Sequence, residues 1–371
     1  MDTSRLSVWS LAIFLALGGP VLALTAEAIN TASFTADAAK NAPVRDGLAA
    51  GDRKPGRDAG RREDAKSHRD ARSHRDTKSR KDAGKPQALI VKVQVLLARR
   101  SISPGEIDGM DGENYHKAIA QFRRQNSLGE GDQLDEQTWT ALGGPTAGDI
   151  VTDYQLTKKD TSARFPRSIP RDYAKQAKMK KLDYTSPEEM FAERFHMSKG
   201  LLQVLNPGLK TRKPGDRILV VSIAHGKPNV KVERVEAVKA TGMLVVYGAN
   251  DAILASYPAT IGSADTPSPE GEHTVRRIVF NPPYYYDPEK NFQQGRNKKK
   301  LVLPSGPNNP VGAVWIALSK ETFGIHGTPE PAQVSKSSSH GCVRLTNWDA
   351  MELADMLKPG VKVRFVEQTG S

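Results

Sequence analysis

One cysteine, Cys342, stands in a chain of 371 residues. No disulfide can form within the chain, so its folded parts depend on burial and hydrogen bonding. Aromatic residues make up only 6%. Long apolar runs are missing except at Leu6–Leu24, so no later segment is long enough to read as a membrane-spanning helix. Acidic residues are the scarcer sign, 42 against 54 Lys and Arg, which leaves a net charge of +12. A basic balance suits anionic surroundings: nucleic acid, a membrane surface or an acidic polymer. The densest basic run has no interleaved aromatics, which speaks against nucleic acid.

Residues 1–28 read as a secretory signal. Arg5 supplies the positive charge, Gly18-Gly19-Pro20 breaks the apolar run, and Ala26-Glu27-Ala28 offers small residues to a signal peptidase. A cut after Ala23 is the alternative. The chain is expected to be exported, to a periplasm or cell wall. A lone thiol in an oxidising compartment is a liability unless it is used, which already marks Cys342. Residues 29–86 read as a disordered basic linker. Between Gly51 and Pro86 thirteen Lys or Arg face seven Asp or Glu, and there is no Phe, Trp or Tyr. Such a segment cannot bury enough apolar area to offset its ordering entropy.

Residues 87–145 read as a three-helix module. Leu89, Val93, Leu96 and Leu97 fall on one helical face; Tyr115, Ile119 and Phe122 form a second set; Asp135 caps a helix carrying Trp139 and Leu142. The turn-rich run Ser103 to Gly112, with Ala118 to Phe122 and Leu134-Asp135-x-x-Thr138-Trp139, resembles the peptidoglycan-binding domain of wall-active enzymes. Residues 146–183 read as a linker with a short strand at Tyr154–Leu156. Residues 184–222 read as a small α+β module. Ser186-Pro187-Glu188-Glu189 opens a helix, a second helix runs to Leu205-Asn206-Pro207, and Pro214-Gly215-Asp216 leads into a strand. This pattern resembles a LysM glycan-binding module whose first strand is hard to place. A packing subdomain for the rest of the chain is the equally weighted reading.

From residue 230 to 368 the pattern turns to strands: Val235–Thr241, Met243–Tyr247, Ile253–Ile261, Thr274–Phe280, Val314–Leu318 and Lys362–Val366, with one helix at Asn347–Leu357. The short spacings predict an antiparallel meander, closing as a barrel or sandwich with short helices. Cys342 lies here. His326 precedes it by 16 residues and His340 by 2. Ser339, His340, Gly341 and Arg344 around the thiol suit a polar, tightly turned site better than a core position. A thiol becomes a nucleophile when a neighbouring base takes its proton. His326 is the candidate base, held by a strand through Ile325. Backbone N–H groups at Gly341-Cys342 are candidate oxyanion donors. His340 either donates to the oxyanion or holds the turn. Ser339 is read as a hydrogen-bonding support at the substrate, and Arg344 either grips a carboxylate bidentately or forms a structural ion pair. The segment 281–301 is long, aromatic at Tyr284 to Tyr286 and basic at Lys298 to Lys300. It is expected to border a substrate groove, with Tyr284, Tyr285 and Tyr286 either touching peptide or sugar, Tyr284 and Tyr285 foremost, or packing under the loop, the two readings being equally weighted.

Thr266-Pro267-Ser268-Pro269-Glu270-Gly271, Asn309-Pro310-Val311-Gly312, Ile325-His326-Gly327-Thr328 and Ser339-His340-Gly341-Cys342-Val343-Arg344-Leu345 together resemble the L,D-transpeptidase catalytic domain of the YkuD/ErfK type. The resemblance implies a multidomain enzyme with a YkuD-like, mainly β catalytic domain and a Cys–His pair whose histidine is oriented by the carbonyl of Gly327. It implies peptidoglycan stem peptides and glycan strands as partners and no cofactor. The donor would be a tetrapeptide stem, cut between its third residue and the terminal D-Ala. The acyl group would pass to a stem amine, to water, or to a lysine of a wall-attached protein such as an outer-membrane lipoprotein. A monomer is expected. Two rivals are a zinc site made from His326, His340 and Cys342 and a non-catalytic wall-binding scaffold.

Overall fold

The computed structural model describes residues 24–35, 85–209, 213–223, 231–262, 266–290, 292–337, 339 and 341–368. Most of the expected signal and linker therefore lies outside the described residues. The part that is described departs from expectation. Helix α1 (Ala26–Thr31) is capped by the Thr25 side chain, which accepts from the Ala28 N–H. Ile29 is fully buried. Asn30 Oδ1 accepts from the N–H groups of Ile150 and Val151, while its Nδ2 donates to Val151 O. Residues 29–35, expected in the linker, are thus docked onto the fold.

Helix α2 (Ala88–Ala98) was expected to bury one face. It is buried along almost its whole surface, from Ile90 through Ala98. The reason is that it has neighbours on several sides. Lys92 Nζ donates to the carbonyls of Asn30 and Ala32. Gln94 holds the turn that follows, donating to Asp108 and accepting from the N–H groups of Asp108 and Gly109. Helices α3 (Glu113–Gln125) and α4 (Glu136–Ala141) complete this unit, α4 being capped by the Asp135 side chain.

The stretch 146–183 is not a plain linker. Strand β1 (Val151–Gln155) pairs antiparallel with β2 (Arg217–Val221), from Val151↔Val221 to Gln155↔Arg217. Between them lie α5 (Lys158–Ser162), α6 (Tyr173–Gln176), α7 (Pro187–Arg194) and α8 (Lys199–Leu205). With α7 and α8 as its helices, the unit has strand–helix–helix–strand order, with residues 158–183 as an additional segment before α7. That segment docks elsewhere: Leu182, fully buried, donates its N–H to Ser305 O and accepts from Asn308 N–H.

The remaining chain forms a nine-stranded sheet with the order β5-β4-β3-β13-β7-β10-β11-β12-β6. Its strands are β3 (Arg234–Val238), β4 (Met243–Tyr247), β5 (Ile253–Pro258), β6 (Thr260–Ile261), β7 (Gly271–Phe280), β10 (Val314–Leu318), β11 (Gly324–His326), β12 (Val343–Arg344) and β13 (Lys362–Val366). The two ends of that order, β5 and β6, are separated in sequence by Ala259 alone, so the sheet curls round on itself like a barrel. The expected meander is corrected at two places: β13 with β3 and β11 with β12 are parallel pairs. A separate hairpin, β8 (Tyr284–Tyr286) with β9 (Leu301–Leu303), spans the expected loop. Helix α9 (Asn347–Met356), capped by the Thr346 hydroxyl, packs its Ala350, Leu353 and Ala354 into the barrel core with Val235, Ile316, Ile325 and Val343.

The helical unit joins the barrel through backbone. Ser103 N–H donates to Ser256 O, and Ser256 N–H donates to Ser101 O, both at 2.9 Å. The Ser103 hydroxyl donates to the buried Asp349 carboxyl at 3.0 Å.

Candidate active site

Three strands set the site. Trp315 of β10 is the partner of His326 on β11, and His326 is the partner of Arg344 on β12. Side chains alternate faces along a strand. Ile325 and Val343 turn into the barrel core and are fully buried. His326 and Arg344 therefore share the opposite face, as does Cys342, two residues before Arg344. The thiol and the imidazole stand on the same side of two adjacent parallel strands.

His326 is buried, with its ring stacked on Trp315 at a centroid distance of 5.6 Å. Its Nδ1 is 2.6 Å from Gly327 O. A carbonyl can only accept, so Nδ1 carries the proton and Nε2 presents a lone pair. Burial first, then the Arg344 charge, lowers the imidazole to about 4, against the opposing effect of the Gly327 bond. Burial raises the Cys342 thiol above its ordinary value, partly countered by the Gly324 N–H and by Arg344. Cys342 Sγ lies 3.8 Å from Thr322 O. At neutral pH the thiol and the imidazole are therefore both uncharged at rest.

The surrounding turn is tightly constrained. Gly341 has φ +95°, and a side chain there would bring its Cβ to 2.7 Å from the Phe323 ring. Ser339 was expected at the substrate. Instead it is buried, its hydroxyl donating to Cys342 O at 2.7 Å and its carbonyl accepting from the Thr266 hydroxyl at 2.8 Å. It buttresses the nucleophile's turn. His340 lies outside the described residues. Arg344 reaches Ser337 Oγ only at 3.5 Å, and its buried Nε finds no hydrogen-bond partner among the described residues.

The expected loop tyrosines separate. Tyr285 is 69% exposed. Tyr284 is partly buried, and burial raises its phenol well above the ordinary tyrosine value. Both line a groove of about 1120 Å³ together with Trp315, Thr322, Phe323 and Arg277. Tyr286 is buried, bonded to Asn297 O and to the Gln294 N–H.

Four residues at the site were not anticipated. Trp315 was findable, because Val314, Ile316 and Leu318 take the core face of β10 and leave Trp315 on the other. Thr322 and Asn347 carry no sequence signal of their own. Tyr173 comes from the presumed linker: its ring packs edge-on against Tyr284 and Tyr286 at 6.0 and 5.2 Å, and burial keeps its phenol neutral, pushed up to about 12.

Residues 233–365 match the family model described as YkuD, the L,D-transpeptidase catalytic domain. The chain is 30% identical over 177 residues to the protein named as L,D-transpeptidase YkuD of Bacillus licheniformis, covering 47% of this chain and 90% of that one. It is 28% identical over 190 residues to L,D-transpeptidase YbiS of Escherichia coli, covering 50% of this chain and 61% of YbiS. The chain belongs to the YkuD family of L,D-transpeptidases. A solved L,D-transpeptidase from Mycobacterium smegmatis aligns at 18% identity and a TM-score of 0.30, over 40% of this chain and 65% of that one. As an L,D-transpeptidase, the chain is an enzyme of a family that acts on peptidoglycan stem peptides.

Proposed function

We propose that Cys342 is the acyl-accepting nucleophile and His326 its general base. The observation that carries this reading is their shared face on β11 and β12, with His326 Nδ1 tied to Gly327 and Nε2 left to take a proton. Sγ bonds to the carbonyl carbon of the donor's third residue while its proton passes to Nε2. The negative oxygen is held by backbone N–H groups of the Gly341–Cys342 turn, a contribution worth about 3 kcal/mol in comparable sites. The C–N bond to D-Ala then breaks, His326 returns the proton to the leaving amine, and a thioester remains. An acceptor amine attacks that thioester and gives its proton to His326, the C–S bond breaks, and His326 passes the proton to the departing sulfur to restore the thiol, forming a 3→3 crosslink or an attachment to a protein. Arg344, on the same face as Cys342 and with no ion pair among the described residues, is suited to hold a stem carboxylate.

The substrate is then a polymer, which gives the other units a purpose. The helical unit at 87–145 is proposed to bind peptidoglycan, and the strand–helix–helix–strand unit to serve as a LysM-like glycan module. Their work requires export to the periplasm or cell wall. Incubation with disaccharide-tetrapeptide, followed by mass analysis, tests the reading. Dimer with loss of D-Ala is expected. Tripeptide would mean that water is the acceptor, and unchanged substrate would overturn the assignment. Intact-mass labelling by a carbapenem, lost in Cys342→Ala, checks the nucleophile separately.

A further inference from the structure

We infer that Glu193, on α7 of the strand–helix–helix–strand unit, is a positioning residue for the catalytic histidine and acts through Asn347. The assignment rests on His326 serving as the base.

Asn347 opens α9 and is buried. Its Nδ2 donates to both Glu193 oxygens, at 3.1 and 3.0 Å, and to Pro307 O at 3.1 Å. Its Oδ1 accepts from the Ala313 N–H at 2.9 Å. The amine faces the Glu193 carboxyl and Pro307 O and the oxygen faces the Ala313 N–H, so the amide is held from both ends. The other end, Oδ1, is then pressed against two glycines. A Cβ added to Gly327 would lie 2.2 Å from Oδ1, and one added to Gly312 would lie 2.1 Å from it. Gly327 is the residue whose carbonyl orients His326. The chain of contacts thus runs from Glu193 to the Asn347 amide, to the Gly327 peptide, to the imidazole.

Glu193 is held in its turn. Tyr184 donates its hydroxyl to Glu193 Oε1 at 3.0 Å, and the neighbouring Asn308 is pinned by Asp183 O and Glu189. Both carboxyl partners of this network, Glu189 and Glu193, come from outside the catalytic sheet. Losing the Glu193 carboxyl leaves the Asn347 amide held by Pro307 O and the Ala313 N–H alone, free to shift where its oxygen now presses on the Gly327 and Gly312 backbones. Displacing a reacting group by about 1 Å can cost about a hundredfold in rate.

The test uses the full-length protein and two reactions at the same sulfur. Carbapenem acylation requires His326; alkylation by iodoacetamide at pH above the thiol's own ionisation does not. Glu193→Ala is expected to slow acylation at least tenfold, with alkylation and the unfolding temperature little changed. Glu193→Gln, which can still offer an oxygen to Asn347 and turn its amine to Tyr184, is expected to restore acylation to within about threefold of the parent. Acylation of Glu193→Ala at the parent rate would overturn the inference. So would a parallel loss of both reactions with a lowered unfolding temperature, which would make Glu193 a structural support only. A parent protein that carbapenem does not acylate, while iodoacetamide alkylates it normally, would instead overturn the Cys–His reading itself.

Discussion

Tyr173 and Tyr284 meet edge to face with ring centroids 6.0 Å apart, one from the segment ahead of α7 and the other from the hairpin beside Cys342. The Tyr173 N–H is bonded to the Gln294 side chain, which also donates to Arg171 O. The segment is therefore fastened to the same loop whose tyrosine lines the groove. An aromatic pair of this kind is worth about 1 kcal/mol, a factor of about five. Tyr173→Ala is expected to raise the KM for tetrapeptide by about that factor, with a smaller change in kcat, and Tyr173→Phe to retain most of the parent value. Steady-state release of D-Ala measures both. An unchanged KM in Tyr173→Ala would remove this segment from the substrate groove.

The protonation states at the pair predict a distinctive pH response. Burial raises the thiol and lowers the imidazole, so no thiolate–imidazolium pair is stored at rest. Alkylation of Cys342 by iodoacetamide should keep rising as the pH passes 9. Substrate acylation should instead fall away as His326 becomes protonated, near pH 4. An alkylation plateau beginning near pH 6 would mean that the thiolate is already formed.

Three carboxyl groups are raised above their ordinary values, chiefly by burial: Glu106 to about 7, Glu193 to about 7 and Asp349 to about 8. Each lies where units meet. Glu106 feels Lys199 and Lys336, Glu193 bonds Asn347, and Asp349 bonds Ser103. A carboxyl raised in the folded state binds more protons folded than unfolded. Its contribution is present below the unfolded pKa and is lost as pH rises through the folded one. His326, lowered to about 4, acts oppositely but only between about pH 4 and 6.5. From pH 6.5 to 8 the carboxyl effect stands alone. The unfolding temperature is expected to fall across that window, less steeply in Asp349→Asn. A rising unfolding temperature there would contradict the assignment.

With export as proposed, the docked segment 24–35 distinguishes the two candidate cuts. A cut after Ala28 would divide α1 just before Ile29, whereas a cut after Ala23 leaves the helix and its Thr25 cap whole. N-terminal sequencing of exported protein should therefore begin at Leu24. Asn30→Ala should destabilise the fold by about 2 kcal/mol, because two backbone N–H groups lose their acceptor. A mature protein that starts at Ile29 and is indifferent to Asn30→Ala would dismiss both expectations.

The barrel was largely legible in the chain, because its signals are local. Breaks at Gly242 and Gly248 separate strands that the structure places at Met243–Tyr247 and Ile253–Pro258, and Thr346 caps the helix expected at Asn347. Cys342, His326, Gly327, Gly341 and Arg344 could be named from motif and chemistry, and strand register brings His326 and Arg344 side by side. What was not legible depends on pairing across long stretches of chain. Val151 finds Val221 only in three dimensions. Tyr173 and Glu193 sit in segments with no chemical motif and reach the site only through packing. Ser339 could be read as a hydrogen-bonding support, but that its hydroxyl turns inward to Cys342 O depends on burial that the motif does not show.

The bridge between Ser101–Ser103 and Ser256 has a consequence beyond joining two units. β5 is the terminal strand at one side of the sheet order, and a terminal strand carries unpaired backbone groups that recruit other strands. Here the helical unit occupies part of that border, as a seal on an otherwise sticky margin. A fragment limited to residues 230–368 would lose the seal along with Glu193 and Tyr173. It is expected to self-associate and to react slowly, and both defects would come from removing parts that look dispensable in sequence.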